Sequence, residues 1–596
     1  MRRLLVTTLL ALTAVSVSVP AVSAKTPKLK IRHVAFEGNS AYTAGRLEGL
    51  MLSRPSRFLA SSYYYPEIFS DDLDNLILFY RQNGYLDARI ADTSAVVDST
   101  GKVVDIAIAI EEGIRTHVEG VTIFGNEHFP DSVLRPYLGL KKGDPLRRPV
   151  IENAVAAMLW LYAEHGYLDA SVTPQVQIST EAHLAVVDYA VRERQQARID
   201  SVMVTESVRT KRYVITRELS FTKGEIIKYS RLLQSQRRLY LTGLFESAFV
   251  RPVAAASGDS TRKDILIEIK ERPSSELGMS VGYGTIEKFR GRIELTTKSL
   301  AGTARQAGLA IEANFISQKI SGSFSEPWTL GTRWKTDLNL FGVLRQEPAY
   351  HTQSFGASLT MGRKLTTNTT ASIAYRFENT DFTQIDVAAM LNGVDPRIRS
   401  LTFSIMHDTR DNLFDPQGGW YALWSNEIAG SFLQGSNTFA RVLVSLKHFR
   451  PLGHRATVAG SIQGGWMDSF GSSEDIPLNE RFYTGGPTTL RGFGYQMAGP
   501  LDENSEPLGG KFKLVWNVIE VRSAVYKLLG AAAFLDVGNV WTDIKDFDLS
   551  SWRADAGGGL RLNTPIGIVR VDCGVNLDRQ GDEPRTRIFL GMGHAF

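Results

Sequence analysis

The 596-residue sequence has a single cysteine, Cys573, so no internal disulfide can form and a disulfide-stapled scaffold is excluded. Past Ala24 no run approaches the ~20 apolar residues of a spanning helix. If the mature chain crosses a membrane, it does so with strands. Excess charge of either sign is lacking too: 67 Lys and Arg stand against 63 Asp and Glu. So balanced a chain gives no support to nucleic-acid binding. Enzymatic signatures are missing, with no Gly-x-Ser-x-Gly elbow, no His-Glu-x-x-His and no phosphate loop. "GFGYQM" at Gly492 lacks the third glycine and the βαβ setting of a dinucleotide fingerprint. No catalytic residue, metal ligand or cofactor is expected.

What is present starts with an export signal. A basic Met1-Arg2-Arg3, the apolar run "LLVTTLLALTAVSVSVPAV" and Val22-Ser23-Ala24 make residues 1–24 a signal peptide, cut after Ala24. Glycine, at 52 residues, and aromatics, at 10%, suit strands and turns.

The N-terminal half is repetitive. "HVAFEGNSAY" at His33 recurs as "GVTIFGNEHF" at Gly120, and "LILFYRQNGYLDA" at Leu76 as "MLWLYAEHGYLDA" at Met158. A diverged third copy reads "RRLYLTGLFESA" from Arg237. A period of about eighty residues is that of a small domain. In each copy a strand precedes a helix with one apolar face: Leu73, Leu76, Ile77 and Tyr80, then Ile151, Val155, Met158 and Tyr162. The helix stops at Gly84, Gly166 or Gly243, and alternating strands close the unit, as in Val104, Ile106, Ile108 and Ile110. The expected units are 25–113, 114–194 and 195–273. Each is an α+β domain of strand, helices, strand and strand, with an open sheet edge suited to receiving a strand or a partner.

From residue 274 to 596 helices disappear. Segments of about ten residues alternate in polarity, and some sixteen of them predict a transmembrane β-barrel. The first, "SELGMSVGYGTIE", turns Leu277, Met279, Val281 and Tyr283 outward and Gly278, Ser280, Gly282 and Gly284 inward. The last, "RTRIFLGMGHAF", puts Ile588, Leu590, Met592 and Phe596 outward, with His594 interrupting the apolar face at the membrane interface. Glycine loosens strand register, so these two strands should form the weakest seam. One long tract without strand pattern, "FYTGGPTTLRGFGYQMAGP" from Phe482, lies among the later strands, and so long a loop needs a functional reason.

The order of several motifs carries a resemblance. They are the repeat endings, "SEPW" at Ser325, "DTRDNLFDPQGGWY" from Asp408, "GGPTTLRGF" from Gly485, "FLDVGNVW" from Phe534 and "GGGLRLNTPIGIVRVD" from Gly557. Together they resemble the outer-membrane protein assembly superfamily, the BamA and TamA group, over essentially all of the mature chain. The resemblance implies POTRA repeats in the periplasm and a 16-stranded antiparallel barrel in the outer membrane. It also implies a loop tip, here Arg491, Gly492 and Phe493, docked inside the barrel on Glu520 and Asp536. The implied function is insertion of unfolded outer-membrane proteins, templated at the seam of Gly278, Ser280, Gly282 and Gly284 against Ile588, Leu590 and Phe596. Three repeats point to the TamA-like branch, with a TamB-like periplasm-spanning partner. A protein exporter of the two-partner-secretion type is the alternative.

Overall fold

A computed structural model describes residues 29–56, 62–205, 209–385, 397–453, 455–471, 473–526, 528–565 and 567–596. The expected signal peptide lies outside them. The chain divides into two compact units, and the division runs through the third repeat. One unit holds the first two repeats with Phe221–Leu233 and Pro252–Ile265; the other holds Met203–Ser220, Gln234–Arg251 and everything from Leu266.

The first repeat runs strand Lys30–Glu37, short helix Ala44–Glu48, long helix Pro66–Gln82, and strands Arg89–Val97 and Val103–Glu111. The last of these is central, parallel to the first strand and antiparallel to the second. Its alternation explains that place. Val104, Ile106, Ile108 and Ile110 are all buried against Leu76 and Tyr80 of the long helix, and each such side chain stabilises the repeat by ~1.5–3 kcal/mol. The second repeat has the same order, with Leu184–Arg192 between His117–Phe124 and Ser171–Ser179.

Both repeats carry the same internal latch. The hydroxyl of Tyr80 donates to Glu112 at 2.8 Å, and that of Tyr162 donates to Glu193 at 2.7 Å. Burial, then the adjoining carboxylate, pushes both phenols up, so they remain protonated donors. The helix-ending Gly84 has φ +99°, and a Cβ there would stand 2.9 Å from the carbonyl oxygen of Leu146 in the next repeat. Its own carbonyl accepts the N–H of Thr116 at 2.8 Å. This glycine therefore caps a helix and also makes the joint between two repeats.

The barrel has sixteen strands in sequential order, from Ser275–Gly284 to Thr586–Met592. Residues directly opposite in an antiparallel pair share a face, so register gives the orientation of each side chain. In the first strand Leu277, Met279 and Tyr283 oppose Leu295, Ile293 and Phe289, whereas Gly278, Ser280 and Gly282 oppose Glu294, Arg292 and Arg290. The apolar row is exposed, Val281 by 88%, as a lipid-facing surface requires. In the last strand Ile588 and Leu590 oppose Cys573 and Val571, and Phe589 and Gly591 oppose Asp572 and Arg570.

Two expectations at the C-terminal end are corrected. The last strand stops at Met592, and Gly593, with φ +78°, turns the chain aside. His594 does not interrupt an outward face: it is buried, with Nε2 2.9 Å from Asp415 Oδ1. Phe596 is not outward either, since its ring lies 5.5 Å from the inward guanidinium of Arg522. The lumen offers the imidazole and the ring a carboxylate and a cation, which hydrocarbon cannot.

Candidate functional site: the loop anchor and the seam

Residues 470–511 separate the strands Ala456–Ser469 and Phe512–Tyr526. This loop carries Arg491, whose side chain is 0% exposed. Its Nε and Nη2 donate to the two oxygens of Asp536 at 2.7 and 2.9 Å, and Nη1 donates to Glu520. The planar fork is matched to a bidentate carboxylate, and a buried guanidinium needs that pairing. Its face lies 3.4 Å from the centre of the Phe534 ring. Phe534 in turn fits because Gly557 stands behind it, where a Cβ would come within 2.5 Å of Cζ.

Gly492 is required for close approach. A Cβ there would stand 2.5 Å from Cβ of Asp555, and a Cβ on wall residue Gly574 would stand 2.2 Å from the carbonyl oxygen of Arg491. Backbone thus lies directly on the wall between Asp555 and Gly574. Phe493 is buried with Leu490 and Ala498, and the guanidinium of Arg553 sits 4.7 Å from its ring. The predicted Arg491, Gly492 and Phe493 and the predicted Glu520 and Asp536 are therefore in one place.

The seam is a different object. The first and last strands end the sheet order. Among the described residues they are joined at Thr285 and Leu590: the N–H of Thr285 donates to the Leu590 carbonyl at 3.0 Å, and the N–H of Leu590 to Thr285 Oγ1 at 2.7 Å. The other wall pairs share ladders, ten residues long for the first strand with its neighbour and seven for the last with its own. Of the predicted seam residues, Gly284 lies at the junction, with its Cβ position 3.8 Å from the Leu590 carbonyl oxygen. Gly278, Ser280, Gly282 and Ile588 sit on the two facing strands, and Phe596 is not part of the seam.

Comparison with known proteins places these features in a family. The Omp85 superfamily domain matches residues 300–596, and the POTRA model, a surface-antigen variable-number repeat, matches 29–113 and 116–194. The chain belongs to the Omp85 superfamily. An outer membrane protein assembly factor BamA from Neorickettsia risticii is 24% identical over 93% of this chain and 77% of its own length. The BamA of Nitratidesulfovibrio vulgaris is likewise 24% identical, over 96% and 74%. Among solved structures, BamA from Haemophilus ducreyi lacking POTRA domains 1-3 aligns with a TM-score of 0.70 at 19% identity, over 80% of this chain and all of that one. The fold is thus POTRA repeats followed by a nearly closed, 16-stranded Omp85 barrel.

A second loop anchor in this chain was not foreseen from its sequence. Glu480, at the base of the same loop, accepts from Arg376 at 3.0 Å through both oxygens and from Arg441 at 2.9 Å. Both arginines also donate to Glu427. Farther along, Arg570 donates to the Pro487 carbonyl at 3.0 Å, and Gln496 to Glu347 at 3.0 Å. The available signal was charge on inward strand positions, as in "AYRFE" and "SNEIA", where a lumen wall needs a partner for each ion.

Proposed function

We propose that this chain is an outer-membrane protein assembly factor, TamA-like or BamA-like, that inserts unfolded β-barrel clients. The observation that carries the proposal is the seam, where two strands meet through Thr285 and Leu590 in place of a ladder. Parting it uncovers two strand edges, and an incoming strand that pairs with either enters lipid with its N–H and C=O groups already bonded. Left bare in hydrocarbon, each such group costs several kcal/mol. No nucleotide is needed, because burial of a finished barrel in lipid is downhill and the seam only lowers the barrier. The loop anchored through Arg491 and Glu480 braces the lumen walls while the seam opens.

The relatives' name, BamA assembly factor, supports this role and an outer-membrane location with the repeats in the periplasm. Client segments or a TamB-like periplasm-spanning partner would use the edge strands Arg89–Val97 and Ser171–Ser179, which carry the exposed Val96, Val97, Val176 and Ile178. The test is a Thr285→Cys, Leu590→Cys pair in a Cys573→Ser background, bridged by a short bis-maleimide. Bridged protein in liposomes is expected to lose client folding, and cleavage of a reducible bridge to restore it. Client folding at the unbridged rate refutes the seam mechanism.

A further inference from the structure

At the end of the barrel where the first strand begins, inward side chains enclose a cavity of about 150 Å³ lined by Arg522, Arg561, His594 and Asp415, among others. One water needs only ~10–15 Å³ of such space. Both guanidiniums are buried, with side chains 7% and 4% exposed. Arg522 gives Nε to Glu520 at 2.6 Å, while its Nη1 and Nη2 have no hydrogen-bond partner among the described residues. Arg561 gives Nη1 to Asp572 at 2.5 Å and to the Leu560 carbonyl at 3.1 Å, leaving Nε and Nη2 likewise without one. Its Nη2 stands 3.9 Å from Glu520, an ion-pair separation too long for a hydrogen bond. His594, bound to Asp415 through Nε2, leaves Nδ1 unpartnered beside the same cavity.

The nearby carboxylates are already shared. Glu520 serves Arg491 and Arg522, and Asp572 serves Arg561 and Arg570. Buried donors are almost always paired, and those on cations most strongly so. Phe449 and Phe596 lie 5.7 and 5.5 Å from the Arg522 guanidinium. The donors that remain belong to two side chains that line one cavity, and a guanidinium fork is the group that matches a planar or tetrahedral oxyanion.

We propose that Arg522 and Arg561 form a binding site for one oxyanion, a carboxylate or a phosphate, entering the lumen from the periplasmic end. The site is separate from the Arg491 anchor but touches it through Glu520, which accepts from both Arg522 and the loop's Arg491. The test is NMR line broadening of ¹³C-acetate and of inorganic phosphate by the full chain in detergent micelles. Saturable broadening by either probe is expected, and displacement of one by the other places both in one site; binding of one alone assigns the site to that oxyanion. Arg561→Gln is expected to weaken binding at least tenfold, and Arg561→Lys less. Because a variant can fail to fold, crystals of the unaltered protein soaked in acetate or in phosphate supply an independent readout, with the anion's difference density within hydrogen-bonding distance of both guanidiniums. No saturable binding, equal binding in a folded Arg561→Gln, or no acetate or phosphate density at these arginines overturns the proposal.

Discussion

Arg491 sits in a setting where substitution is severe for a definable reason. Arg491→Ala leaves Glu520 and Asp536 buried beside Phe534 without their shared cation, and breaking a buried pair from one side costs ~3–5 kcal/mol. The variant should unfold at lower urea in detergent and lose heat-modifiable migration on gels; an unchanged midpoint contradicts the anchor. Arg491→Lys should recover only part of the loss, since an ammonium cannot bind both oxygens of Asp536 and reach Glu520 together. Gly492→Ala puts a methyl where Asp555 Cβ stands 2.5 Å away. It should displace the loop tip, raising protease cleavage within 470–511 while the wall strands stay folded. At this scale the sequence was partly legible. The motif Arg491-Gly492-Phe493 carried a resemblance that implied Glu520 and Asp536 as its wall partners, whereas nothing in the sequence around Glu480 marks it. Its arginines lie on strands 104 and 39 residues away, and that separation hides the pairing.

Among elements, the tail after the last strand makes a pH-dependent contact. Burial, with the nearby charge of Arg522 adding to it, holds His594 below the ordinary imidazole value of 6.5, although Asp415 opposes the shift. The hydrogen bond from His594 in turn holds the Asp415 carboxyl down. A released tail therefore binds more protons than a docked one. Docking is fully stabilised above pH ~6.5 and weakens as pH falls below it. Amide exchange of Gly593–Phe596, corrected for intrinsic rate, should be faster at pH 5.5 than at pH 7.5; equal protection contradicts the contact. Period-2 alternation placed the strand faces correctly up to Met592 but could not foresee the turn at Gly593, because alternation continues on paper through a residue whose backbone leaves the sheet. Gly84 and Gly166 were easier, since a helix ending at Gly-Tyr names its own cap, while the second role of Gly84 against the next repeat is visible only in the folded chain.

For the whole molecule, strand count and repeat order were legible because each repeat buries its own core and each strand carries its own lipid face. Closure was not, since a sequence pattern says how strands face but not how two distant ends meet. Among the described residues the wall holds together through ladders except where Ser275–Gly284 approaches Thr586–Met592, and the proposed insertion of clients depends on that difference. Hydrogen–deuterium exchange on the protein in lipid measures it directly, with and without a client in the act of folding. These two segments should exchange faster than the strands Arg397–Asp408 and Gly419–Ala429 of the opposite wall, and faster again or newly protected by the client strand when one is present. Protection equal to that of the opposite wall, unchanged by a client being inserted, would contradict the account.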